Sequence, residues 1–235
     1  MDKKSPKISI IIPATRETND LSVLVQHLQS ASIINNAHEI IIVRSKSVTY
    51  AELVDSKKHV VTVYSKHQRS SAMNAGARMA SGDILYFLHS DSYPPDGFDK
   101  LIVDACRDGA GAGSFRLRFD THNLMLKSFA WFTRFPWYWL RFGDQSLFVS
   151  ATNFNSISGF DETLSTMEDM DIVKRLKNQT SFKVIDKQVV TSARKYETYG
   201  FFRVQFFYII VVVLYHLGFS QQILLKILRK MTHKY

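Results

Sequence analysis

Ser81 to Asp91, SGDILYFLHSD, runs from a Gly-Asp turn through an apolar stretch into a polar cluster that closes on a carboxylate. A buried parallel strand ends this way when its carboxyl end delivers a metal or phosphate ligand into a crevice, which makes Asp91 a candidate ligand. The alternative is a strand that merely ends in a polar turn. A pair of acids, Glu168-Asp169, stands just ahead of the apolar spacing Ile172 and Leu176. At a helix start the positive end of the macrodipole favours the ionised carboxylate, the form that accepts a proton; the competing account is that both acids only cap the helix.

These residues need a frame. Ile8 to Ile12 is a β-branched run stopped by Pro13, and Asp20 can cap a helix whose Leu21, Leu24, Val25 and Leu28 share one face. Glu39 to Val43 and Val60 to Tyr64 repeat the buried-strand pattern, and a small-residue helix over roughly 70–80 leads into Ile84 to Leu88. The alternation predicts βαβ units: an α/β fold with a mostly parallel central sheet flanked by helices.

At 235 residues and 46% hydrophobic, the chain can bury a substantial core without repeats or low-complexity segments. The single Cys106 excludes an intramolecular disulfide and a cysteine zinc cluster. Residues 1–7 carry no secretory pattern, so a cytoplasmic location is the default expectation. The excess of 30 Lys and Arg over 21 Asp and Glu comes without a nucleic-acid-binding motif, and no nucleic-acid partner is expected.

The order of further motifs resembles glycosyltransferase family 2, the inverting nucleotide-sugar transferases. The likeness starts at ISIIIPATRE (Ile8 to Glu17) and continues through Arg69 and MNAGAR (Met73 to Arg78). It then takes in Gly82-Asp83, His89-Ser90-Asp91 with Pro94, Gly143-Asp144-Gln145, Ser158-Gly159-Phe160-Asp161, and Glu168-Asp169 with Arg175-Leu176. It covers about residues 7–200. The resemblance implies an A-type glycosyltransferase fold with a Rossmann-like nucleotide-binding half and a nucleoside-diphosphate sugar donor. It also implies a divalent metal, Mn2+ or Mg2+, on Asp91 and His89. Asp169, or else Glu168, would be the base that deprotonates the acceptor hydroxyl. Pro13, Ala14, Glu17, Arg44, Arg69, Asn74 and Arg194 would bind the donor, with Arg194 on the leaving diphosphate. Its rival role is a surface ion pair with Glu197. Asp144, Gln145, Trp137 and Trp139 fall on the acceptor side.

Three positions depart from the family pattern. His89 replaces the first aspartate of the usual pair, and imidazole brings no negative charge to a cation; its alternative is a strand-end histidine bonded to backbone. Arg44 stands where an aspartate reads the nucleobase, and a guanidinium cannot accept a hydrogen bond. It could meet phosphate, meet guanine acceptor edges, or be a surface charge. Arg16 stands beside Glu17 in place of asparagine. An alternative function follows, a catalytically silent scaffold that binds a partner. Nucleotidyl transfer is disfavoured because residues 14–17 lack glycine.

The C-terminal region, 201–235, reads as a helical appendage to a 1–200 catalytic domain. Its apolar run from Phe206 to Tyr215 is short for a bilayer span. After Gly218, Ile223, Leu224, Ile227, Leu228 and Met231 make an apolar face opposite Lys226, Arg229, Lys230 and Lys234. A basic amphipathic helix predicts peripheral contact with the inner face of a membrane; packing on the catalytic domain or in a homodimer is the competing account. The aromatic run 129–142 reads either as a core helix or as a surface for a glycan or lipid-linked acceptor.

Overall fold

The computed structural model describes residues 6–14, 20–34, 38–45, 60–65 and 68–232. Its strands are β1 (Ile8–Ala14), β2 (His38–Ser45), β3 (Val60–Ser65), β4 (Ile84–Phe87), β5 (Ser92–Tyr93), β6 (Ala112–Phe119), β7 (Leu147–Ser150) and β8 (Phe182–Thr191). The helices are α1 (Asp20–Ala31), α2 (Arg69–Met79), α3 (Phe98–Arg107), α4 (Leu124–Trp131), α5 (Ala151–Ser156), α6 (Glu168–Gln179), α7 (Arg194–Tyr199), α8 (Phe201–His216) and α9 (Gln221–Thr232).

Strict alternation in β1 divides the core. Ile8, Ile10 and Ile12 join Leu21, Leu24 and Leu28 of α1 on one face, while Ile11 joins Ala72, Met73 and Ala75 of α2 on the other. A strand buried on both faces reads as a continuous apolar run, and each fully buried isoleucine contributes roughly 1.5–3 kcal/mol over an exposed one. Gly76 lets α2 lie close on the sheet: a Cβ there would stand 2.9 Å from Val43 Cγ2.

The sheet has eight strands in the order β3-β2-β1-β4-β7-β6-β8-β5. The first four pair in parallel, as the βαβ pattern predicts. Beyond β4 the sheet is mixed: β7 lies antiparallel to β4 and β6, β8 parallel to β6, and β5 antiparallel to β8. The parallel pair β1 and β4 therefore carries Pro13 and the residues after β4 to the carboxyl ends of two central strands, where a crevice opens.

Met167 and Met170, at the start of α6, pack with Val211 of α8 and Leu224 of α9. The C-terminal helices thus rest on the end of α6 that carries the acids. Of the apolar face expected on α9, Ile223 is exposed while Leu224 and Met231 are buried. The opposite face of α8 leaves Phe202, Phe206, Ile209, Val213 and Leu217 exposed, at spacings of three and four that align them in one stripe.

The aromatic run is not a core helix. Helix α4 ends at Trp131, and short 3-10 turns at Phe132–Arg134 and Tyr138–Leu140 follow. Pro136 pushes Phe135 to extended backbone (φ −84°, ψ 140°), which breaks the helix. Trp131, Trp137 and Trp139 remain 48%, 41% and 44% exposed, with Trp137 stacked between Phe135 at 4.7 Å and Trp139 at 5.1 Å.

Candidate active site

Five separate elements meet in one cleft of about 710 Å3: the segment after β4 (His89, Asp91), the first residue of α2 (Arg69), the turn Gly143–Gln145, and the first residues of α6 and of α7. Helix α8 supplies Tyr208 to its wall.

The acids at the start of α6 follow a residue with left-handed backbone. Met167 holds the cap position at φ 68°, in the left-handed region that costs a non-glycine residue free energy, and no side chain caps the helix. Glu168 and Asp169 both line the cleft, and Glu168 also accepts a hydrogen bond from its own backbone amide in the first turn of the helix. Asp169 Oδ2 accepts the amide hydrogen of Gly143 at 2.9 Å and stands 3.5 Å from Arg69 Nη2. Glu168 Oε1 lies 3.7 Å from Arg69 Nε. Burial first, then the charge of Asp169, push the Glu168 carboxyl above its ordinary range, and Arg69 offsets only part of this. Asp169 is the more accessible of the two side chains.

Desolvation works against the Arg69 guanidinium, but Asp169, Glu168, Asp144 and Asp91 outweigh it and hold the cation firmly protonated. On the facing wall His89 Nδ1 meets Asp144 Oδ1 at 2.9 Å. Burial disfavours the Asp144 carboxylate, yet the His89 hydrogen bond and the charges of His89, Lys195 and Arg69 hold its carboxyl well below the usual range. Lys195 donates to Tyr208 Oη at 2.6 Å. Burial pulls its ammonium down, while Tyr208, Asp144 and Asp91 more than restore it. Acids and cations of the cleft are thus interleaved, with Arg69 facing Asp169 and Glu168 and His89 facing Asp144.

His89 is bonded to the Asp144 side chain, not to backbone as the simpler expectation had it. Its Nε2 is buried against Gly143 with Arg69 Nη2 on the same side, a place where the guanidinium opposes a cation. Among the described residues no three His, Cys, Asp or Glu side chains are grouped to hold a metal. Asp91 lines the cleft as an oxygen donor, and a divalent cation bound by one or two carboxylates plus substrate phosphates needs no larger protein set.

Of the donor-side residues, Pro13 lines a small void shared with Arg69, His89 and Asp169, and Ala14 ends β1 in register with Arg44 of β2. Arg44 is 6% exposed, so it is no surface charge. Glu17 and Arg16 lie outside the described residues. Arg194 lines the cleft and, among the described residues, forms no ion pair with Glu197. Asn74 is not in the cleft: it donates to Phe160 O at 2.8 Å and accepts from Phe160 N at 2.9 Å, tying α2 to the turn after α5. On the acceptor side only Asp144 lines the cleft; Trp137 and Trp139 lie on the outer surface. Gln145 is 1% exposed and accepts from Arg141, a structural position.

The sequence pairs Arg141 with Arg134 as an arginine of the aromatic run that could hold an acceptor's phosphate, and it singles out neither Lys195 nor Tyr208. Arg141 is buried and donates to Ser114 Oγ at 2.9 Å, to Thr133 O at 2.6 Å and to Phe135 O, pinning the aromatic run to the Gly143 turn. Burial lowers its pKa to about 10. Lys195 had a signal in its adjacency to Arg194; Tyr208 had none within an aromatic-rich helix.

Residues 9–155 match the family described as Glycosyl transferase family 2. The undecaprenyl-phosphate 4-deoxy-4-formamido-L-arabinose transferase of Yersinia enterocolitica is 30% identical, over 43% of this chain and 34% of its own. The chain thus spans about a third of the length of the curated relatives it matches. Among solved structures, the mannosyltransferase PcManGT from Pyrobaculum calidifontis, in complex with GDP-Man and Mn2+, superposes with a TM-score of 0.60 at 15% identity, covering 80% of this chain and 57% of that one. S. aureus TarS in complex with UDP-GlcNAc gives a TM-score of 0.63 at 14% identity, covering 79% and 58%. At these identities the structural likeness is one of fold, and it is the A-type glycosyltransferase fold. With its family match extending over more than half of its residues, the chain belongs to glycosyltransferase family 2.

Proposed function

We propose that the chain transfers a sugar from a nucleoside-diphosphate sugar to a lipid-linked or glycan acceptor by single displacement, inverting the anomeric centre. The observation that carries this reading is the fixed position of Asp169, held by the Gly143 amide and Arg69 on the wall of the charged cleft. A carboxylate so placed can take the proton of an attacking hydroxyl. Arg69, Arg194 and Lys195 supply positive charge where a diphosphate leaves. Asp144, through His89, keeps that imidazole oriented. A divalent cation bound with the donor would be held by Asp91 and would neutralise charge on the departing diphosphate. The undecaprenyl-phosphate relatives favour a lipid-linked acceptor over a free glycan.

Residues 1–200 are read as the catalytic domain and 201–235 as its helical appendage. The exposed stripe of α8, beside the exposed Lys226, Arg229 and Lys230 of α9, supports peripheral contact with an anionic membrane. Among the described residues no helix is long and apolar enough to cross a membrane.

The test is a thermal-shift screen of UDP-, GDP-, CMP- and dTDP-sugars with and without Mn2+, on wild type, Asp91→Ala and Asp169→Asn. One nucleotide should stabilise wild type in a metal-dependent way, lose that dependence in Asp91→Ala, and still stabilise Asp169→Asn. With donor and acceptor, Asp169→Asn should turn over about 10²–10⁴ times more slowly. Absence of stabilisation by every nucleotide would overturn the proposal in favour of a silent scaffold.

A further inference from the structure

Outside the catalytic cleft, a pocket of about 540 Å3 lies between α4 and the ends of β6 and β8. Arg118, His122, Lys127 and Arg134 line it against a single acid, Asp120. Asp120 Oδ1 already accepts the Ala193 amide at 2.6 Å. Two positions before Arg118 on the same side of β6, Arg116 is neutralised by Asp186. Among the described residues, none of the four basic groups of the pocket forms an ion pair with a carboxylate. Arg134 is held in place, its guanidinium 4.1 Å above the Trp131 ring and its Nε donating to Trp131 O at 3.1 Å. An unneutralised basic pocket with an oriented guanidinium is built for a phosphate.

One wall of the pocket continues into an apolar surface. Lys127 and Trp131 line the pocket from α4, and Leu124, three and seven residues before them, shares their helix face. Leu124 is 75% exposed, and Met125 and Phe132 beside it are exposed as well. A sugar phosphate or a nucleotide has no use for that surface, whereas an acyl or prenyl chain does. The excess of basic groups over Asp120 suits a phosphomonoester, which carries about −1.5 to −2 at neutral pH, better than a singly charged diester.

We infer that this pocket is a second binding site, which takes the phosphomonoester head of a lipid whose chain lies along the exposed face of α4. Leu117 and Phe119 line both this pocket and the catalytic cleft, so the lipid is held alongside the cleft and outside it. The site stands whether or not the cleft transfers sugar, and its test reads no turnover.

The experiment is flotation of the full chain with neutral phosphatidylcholine vesicles, either plain or containing a long-chain polyprenyl monophosphate. A third set carries phosphatidylglycerol at matched surface charge. The monophosphate vesicles should capture the chain well above both others. Arg118→Glu combined with Lys127→Glu should lower that increment by about tenfold or more, while Lys100→Glu on α3, away from both surfaces, retains it. Nucleotide-sugar stabilisation of the double variant reports separately on the cleft and on folding. Equal capture by phosphatidylglycerol would overturn the inference in favour of a general anionic surface. An increment that survives the double variant would overturn the assignment to this pocket. Its abolition by inorganic phosphate at concentrations equal to the lipid would make the site one for free phosphate and overturn the lipid part.

Discussion

Gly143 gives its amide hydrogen to Oδ2 of Asp169 at 2.9 Å, and the absence of a side chain on Gly143 is what lets Arg69 and His89 close in on the same spot. The proposed base is thus positioned by a backbone group of a turn that lies 26 residues earlier in the chain.

A methyl group at this position should therefore be costly to activity. A Cβ on Gly143 would collide with Arg69 Nη2 and His89 Nε2 and stand 2.6 Å from Asp169 Oδ2. Gly143→Ala is expected to lose about 10²-fold in turnover, the scale of a misplaced catalytic group. Overpacking should cost about 1–3 kcal/mol in stability. Sugar-transfer rates alongside denaturant unfolding check both numbers; an active, equally stable variant would show that Asp169 does not depend on this contact.

The two perturbed carboxyls predict opposite pH dependences. The Asp144 carboxyl is held below its ordinary value of 3.8, so its contribution to stability is present above that pH and is lost as pH falls toward its folded-state value. The Glu168 carboxyl is raised above 4.5, so the folded state holds its proton more tightly, and wild type loses stability as pH rises from 4.5 through the folded-state value. Melting temperatures measured from pH 3 to 8 should show wild type gaining on Asp144→Asn as pH rises. Over the same range wild type should fall behind Glu168→Gln. Parallel curves for either pair would contradict the assignment.

Arg141 should behave as a structural clamp. Its fork reaches Ser114, Thr133, Phe135 and Gln145 at once, with no carboxylate among these acceptors. Arg141→Lys keeps a charge but offers three donors from one point, and leaving buried carbonyls without partners costs about 1–3 kcal/mol. Thermal unfolding followed by tryptophan fluorescence should register the loss, because the clamp holds the segment that contains every tryptophan of the chain. An unchanged midpoint would argue that the aromatic run holds itself in place by ring stacking alone.

Legibility in the sequence followed the range of the interactions. The β-branched runs at 8–12, 39–43 and 60–64 fall inside β1, β2 and β3, because burial on both sheet faces writes itself into local composition. Asp169 and Arg69, which the structure brings within 3.5 Å of each other, stand out in the sequence through a family pattern that spans the chain. Long-range pairing was not legible: the two-residue β5 and the parallel match of β6 with β8 leave no local mark. The positions of Asn74 and Gln145 outside the cleft wall were not legible for a related reason. A polar residue inside a family motif looks the same in sequence whether it meets ligand or, as Asn74 does, the backbone of Phe160. The tryptophans, ambiguous between core and surface in sequence, lie at the surface: Trp131 closes α4, and Trp137 and Trp139 follow Pro136 in a segment of short turns.

The packing of α8 and α9 against the start of α6 bears on where this chain could be cut. Tyr208 and Gln205 from α8, with Leu228 and Thr232 from α9, complete the wall of the cleft. A fragment ending near residue 200 would keep every proposed catalytic side chain and still lack that wall, while Lys195 would lose its phenol partner. A foreign tail grafted onto the first 200 residues would therefore re-line the cleft, because α8 and α9 form part of its wall.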